Sequence, residues 1–270
     1  MNRFHNERGA TLVMVLILLI LITSVGLYAT RHSIFSLKVA TNAQVQTMLM
    51  QTSDVALDHL EKHFNSNEAN NLAGTPIGQV LLDGNQGKEL QFCFKPTEVG
   101  TNKNLTNNLF FSLRDFRILT RESKTSLKAS TKAESGDINA YCDPSRMFSI
   151  SRKALVTQVA LVNPDDPAIE MNRFDLTTKG TDLKEVNIDT KRVRVIVTSL
   201  APALAPSVSL KEMETCLKTY LMDDMALSNM EDKTASQKKV KTVHECLSEL
   251  GVPLNTQVAE YTVNLAESKS

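Results

Sequence analysis

Residues 7–31 read ERGATLVMVLILLILITSVGLYATR, a charged leader, one glycine at the seam and then an apolar run. From Ala10 to Thr30 there are 21 residues without a charge. At about 1.5 Å of rise per residue, an α-helix of that length crosses the roughly 30 Å hydrocarbon layer of a membrane. Arg3 and Arg8 precede the run with only Glu7 against them. The positive-inside rule therefore keeps the first nine residues cytoplasmic and sends the chain beyond Arg31 outward. A cleaved secretory signal predicts a shorter core followed by a small-x-small site. Here the core is over-long and ends in Tyr28-Ala29-Thr30-Arg31, so a retained anchor is the better reading.

Between Arg31 and Phe64 there is neither Gly nor Pro. Ile34, Leu37, Thr41, Val45, Met48, Leu49, Thr52, Ala56, Leu60 and Phe64 fall at steps of three and four, the period of one helix face. The pattern predicts a single helix from Ala10 to Phe64, roughly 80 Å long at the helical rise. Its first half is transmembrane (10–30) and its second half amphipathic.

A basic leader ending in Gly9, an uncharged stretch of about twenty residues and an unbroken amphipathic helix together resemble the N-terminus of a type IV prepilin. The resemblance covers Arg8 to Glu61, and within the family RGATLVMVLILLILITSVGL followed by QTSDVALDHLE is most similar to PilX-type minor pilins. It implies a pilin-like α+β fold, with the long N-terminal helix packed on an antiparallel β-sheet. It also implies cutting between Gly9 and Ala10 by a prepilin peptidase and methylation of the new amino group of Ala10. Segments 1–9, 10–64 and 65–270 then become the cytoplasmic leader, the long helix and a periplasmic globular domain. Removing Arg3, Arg8 and Glu7 from 30 basic and 30 acidic residues leaves 28 against 29, close to neutral. The implied localisation is the bacterial inner membrane, single-pass, and later the fibre on the cell surface. The implied partners are other minor pilins and the major pilin through the helix, and a PilY-type tip adhesin at the outward surfaces. Fibres of this class serve twitching motility, cell adhesion or DNA uptake.

Major-type pilins carry a glutamate at the fifth mature position, and this chain has Met14 there. A lone carboxylate at that depth is costly without a compensating cation. A subunit lacking it needs no such neighbour, which by the resemblance suits the tip or the initiating complex. Two other readings share the N-terminal pattern. A K-type pseudopilin of a type II secretion system also lacks the glutamate and is favoured by a larger helical domain over Ser207–Pro253. A membrane-anchored periplasmic enzyme or binding module is favoured if residues 1–9 are retained.

The remaining 65–270 is long enough for one domain with a real core. Its composition is ordinary for a globular chain, without Trp, a low-complexity block or a fixed repeat. Asn65–Gly87, rich in Asn and Gly, reads as the loop leaving the helix. Lys191–Leu200 and Gln257–Leu265 alternate as strands; Leu90–Phe94, Arg114–Leu119 and Ala154–Val162 are further candidates, the last ended by the turn NPDDP. Each of the first two is expected to lay its apolar face on the amphipathic helix. Between them, Lys211–Leu227 and Ser236–Leu250 read as helices, with Gly251 and Pro253 as a stop, making 208–254 a helical-hairpin insertion.

Four cysteines in an exported domain point to disulfides, and four allow three pairings. With the hairpin turn near Glu231, Cys216 and Cys246 each lie fifteen residues from its centre and face one another, leaving Cys93 with Cys142. No Cys-x-x-Cys spacing suggests a metal instead. His59 and His63 have ligand spacing, but Glu61 sits where no zinc-peptidase pattern places it, and they read as a helix face. DGNQGKE from Asp83 lacks the acidic twelfth position of a calcium loop, and Asp165 and Asp166 in NPDDP read as a turn. No nucleophile motif and no phosphate-cradling loop occurs, so an enzyme is disfavoured, and no cofactor or metal is expected. Arg121, Lys124, Lys128 and Lys132 gather in TRESKTSLKASTK, but without interleaved aromatics nucleic acid is only weakly supported as a partner.

Overall fold

The computed structural model describes residues 8–65, 74–95, 115–121, 129–130, 137, 139–148, 154–164, 188–223 and 241–266. One helix, α1, runs Arg8–Asn65. Two compact units divide the chain, Met1–Thr47 and Met48–Ser270, and the boundary falls inside α1.

In the first unit, Val45 is the one described side chain that is even partly covered. Ile34, Leu37 and Thr41, expected on a buried stripe, are exposed, because this length of helix has no neighbour in its own unit. The amphipathic reading holds further on. In the second unit Leu49, Thr52, Ser53, Ala56 and Leu60 are buried at steps of three and four.

Those turns pack on an antiparallel sheet built from β1 (Glu89–Phe94), β2 (Phe116–Arg121), β4 (Val156–Val162), β5 (Ile188–Leu200) and β6 (Leu254–Ala266). The two-residue strand β3 (Ala129–Ser130) extends the β2 edge, and the spatial order is β3-β2-β1-β4-β5-β6. All five strands expected from the sequence are present. β5 and β6 pair without a break from Ile188↔Ala266 to Leu200↔Leu254. Val193, Val195 and Val197 of β5 join Leu90, Phe92, Phe94, Val159, Leu161 and Val263 in a cluster with Ala56 and Leu60 of α1. At its end the hydroxyls of Ser53, Ser199 and Thr157 stand in a row, each 2.9 Å from the next.

The opposite face of the sheet is buried too, so every residue of β1 and of β4 is enclosed. Its cover is the segment between β5 and β6, which holds helices α3 (Leu210–Thr219) and α4 (Val243–Glu249). Met213, Leu217, Val243 and Leu247 from these helices meet Val156, Ala160, Val162, Ile196 and Leu200 from the sheet. The insertion is thus a third layer and not only an outward appendage.

Three local expectations change. The chain between 74 and 87 is not wholly loop: α2 (Pro76–Leu81) forms there, capped by Thr75 with Pro at the first turn, and buries Ile77 and Val80. α3 stops at Thr219 instead of Leu227, because the next residues are pulled straight by a buried carboxylate described below. α4 starts at Val243 instead of Ser236, where Thr242 and Glu245 form a capping box. The hairpin centre at Glu231 lies outside the described residues. Gly251 closes α4 with φ +75°, and the Val252 amide donates back to the Leu247 carbonyl at 3.1 Å.

Candidate functional site

Gly9 and Ala10 stand in the first turn of α1. Beyond them the helix is sheathed in apolar side chains that touch nothing: Leu12 is 71% exposed, Met14 74% and Leu19 56%. Its hydroxyls do not spoil that surface. Thr23 donates to the carbonyls of Leu19 and Ile20, and Thr30 to that of Leu27, all at 2.9–3.0 Å, so these polar hydrogens are spent inside the helix. Such a surface is costly in water and suited to lipid or to like helices. Among the described residues α1 is the one helix long and apolar enough to cross a membrane.

Cys93 is joined to Cys142 and Cys216 to Cys246, with Cα separations of 4.9 and 5.7 Å. The first ties β1 to the loop at 139–148 and the second ties α3 to α4. Both are buried in the core between the sheet and the insertion.

The same interface carries a set of buried charges that strand alternation does not reveal. Glu89 on β1 accepts the Met222 amide at 2.8 Å and the Asp223 amide at 3.0 Å, and this capture draws residues 220–223 away from a helical path. Gln91 donates to Glu89, while its Oε1 accepts from the fully buried Arg117 of β2. Arg117 also donates to the Leu217 carbonyl at 2.7 Å, and Gln158 of β4 reaches the same two acceptors. Arg194 of β5 bridges Asp223 at 3.2 Å and Glu260 of β6 at 2.7 Å. Burial pushes the Glu89 carboxyl up to about 7, against the pull of its hydrogen bonds from Gln91, Met222 and Asp223. Burial likewise brings Arg117 down to about 10, with the charge of Glu89 opposing, so Arg117 stays cationic at neutral pH. Each of these groups is engaged by another within the fold. Their arrangement locks the insertion to the sheet.

The other sequence candidates are scattered. His59 is half-buried with its ring 5.9 Å from that of Phe94. The side chain of His63 lies outside the described residues, as do Asp165, Asp166, Lys124, Lys128 and Lys132. Asp83 to Gly87 form a turn in which Gly84 and Gly87 take positive φ, and the Gly87 amide donates to the Asn163 carbonyl at 2.8 Å. Glu89, Arg117, Arg194 and Asp223 were missed by sequence reasoning. In ELQFCF and KRVRVIV their polar residues alternate as a solvated face does. Compared with known proteins, the chain matches no family model, no curated protein and no solved structure.

Proposed function

We propose that this chain is a PilX-like minor pilin, a structural protein that joins other minor pilins at the inner membrane, helps to start a type IV pilus and ends in its tip complex. One observation carries the reading. α1 is continuous from Arg8 to Asn65, unpartnered and apolar over its first half, and packed on an antiparallel sheet domain at its last turns. In the membrane Ala10–Thr30 parks the subunit; entry into the fibre exchanges lipid contacts for those of like helices, and the binding itself drives extraction. Met14 adds no buried charge to that exchange.

The test is the intact mass and N-terminal residue of the protein from cells with and without the prepilin peptidase. The expected result is a mature chain beginning at methylated Ala10, and a precursor keeping Met1–Gly9 when the peptidase is missing. The same uncut N-terminus in both strains would overturn the reading and make α1 an ordinary anchor.

A further inference from the structure

The two edges of the sheet differ. One ends in β3, two residues long. The other is β6, thirteen residues in unbroken register with β5, without a bulge. Proteins normally blunt such an edge with Lys, Pro, a bulge or a covering element. LNTQVAEYTVNLA contains neither Lys nor Pro. Its one charge, Glu260, pairs with Arg194 of the neighbouring strand while its side chain stays 43% exposed, and Val258 is 60% exposed. Among the described residues no strand pairs with the outer side of β6.

The flank beside this edge has its own chemistry. Asp54 of α1 accepts from Gln257 at 2.8 Å, and the Tyr261 hydroxyl is pushed up by burial, with the charge of Glu61, two turns further on, adding to it. Two carboxylates about 10 Å apart along the helix therefore lie beside Gln257 and Tyr261, four residues apart on one face of β6. On the same strand Asn255 Nδ2 and Gln257 Oε1 are shut off from water with no hydrogen-bond partner.

We propose that the outer edge of β6 receives an extended segment of a partner protein, which adds a strand to the sheet and presents Lys or Arg to Asp54 and Glu61. Main-chain hydrogen bonds along the edge supply the affinity, and the acidic flank selects the partner and its register. A second copy of this chain does not fit. Its β6 holds no Lys or Arg to answer Asp54 and Glu61.

The test uses the full chain in its own cells, with the photo-crosslinking residue benzoylphenylalanine at Val258 or Thr262 and, as a control, at exposed Leu204. Crosslinked peptides are sequenced. Both edge positions, and not Leu204, are expected to link to one continuous segment of one other protein bearing Lys or Arg. A synthetic peptide of that segment is then expected to bind the purified full chain in detergent, and Asp54→Lys with Glu61→Lys to weaken binding about tenfold or more. Links to copies of this chain, to the chain itself, to scattered segments or to nothing would overturn the proposal, as would unchanged peptide binding in the double variant. The N-terminal mass is read on the same samples. A processed chain with a bare edge defeats this inference alone, whereas an uncut chain defeats the pilin reading.

Discussion

Glu89 is the residue with the largest consequence for its size. Its carboxyl titrates near 7 in the fold against about 4.5 for the free group, so the folded chain binds this proton more tightly than the unfolded one. Stability contributed at Glu89 is thus fully present below pH 4.5 and is lost as pH rises through 7, by about 3 kcal/mol at the upper end. Glu89→Gln should remove that dependence: urea unfolding at pH 5 and at pH 8 should show the variant gaining on the native chain as pH rises. A constant difference between the two would place the burial cost elsewhere. Arg194→Met tests the other half of the network. It removes the cation that reaches buried Asp223, and should cost about 3 kcal/mol, read as a lower denaturant midpoint. These residues were illegible beforehand for a physical reason. Period-2 alternation reports which side chains share a face and is silent on whether water or a second layer lies against it, and Gln91, Arg117 and Gln158 face a layer.

At the scale of elements, the helices of the insertion are held by their ends and by one covalent link. Ser209 and Thr242 each close a capping box, and replacing either by Ala should cost about 1 kcal/mol in thermal unfolding. Cys216→Ser with Cys246→Ser removes a cross-link between residues 30 apart and should cost about 3 kcal/mol, with proteolysis of the insertion rising faster than that of the sheet. Here the sequence was readable where a local rule sufficed. The valines of β5, the stop at Gly251 and the apolar stripe from Leu49 to Leu60 all stand where periodicity and turn chemistry put them. The start of α4 was overrun because TVHE, a capping-box sequence, was passed over in favour of the longer apolar period. The end of α3 had no local signal, since a carboxylate more than 120 residues away sets it. α2 was signalled by Thr75-Pro76 and hidden by the Asn-rich stretch before it.

For the whole molecule, the two units make separable demands. A charge at Val15 or Leu19 falls in the exposed apolar half of α1, in a unit separate from that of the sheet. Val15→Asp or Leu19→Lys should therefore abolish piliation while circular dichroism and disulfide content stay native; normal piliation would count against assembly through this surface. The order of the strands also sets a clock. The stripe at Leu49–Leu60 is synthesised first, yet its cover includes Val193 and Val263, so it waits for about 200 further residues. At 5–20 residues per second that is roughly 10–40 s. Cys93 and Cys142 emerge together well before β6, whereas Cys216 and Cys246 precede it closely. A nascent chain thus passes through a long interval in which one half-oxidised, edge-exposed sheet must be kept from its neighbours. Its vulnerability to aggregation and to chaperone supply is concentrated in that interval, and the last thirteen-residue strand closes it over the stripe while leaving its own outer edge for the partner proposed above.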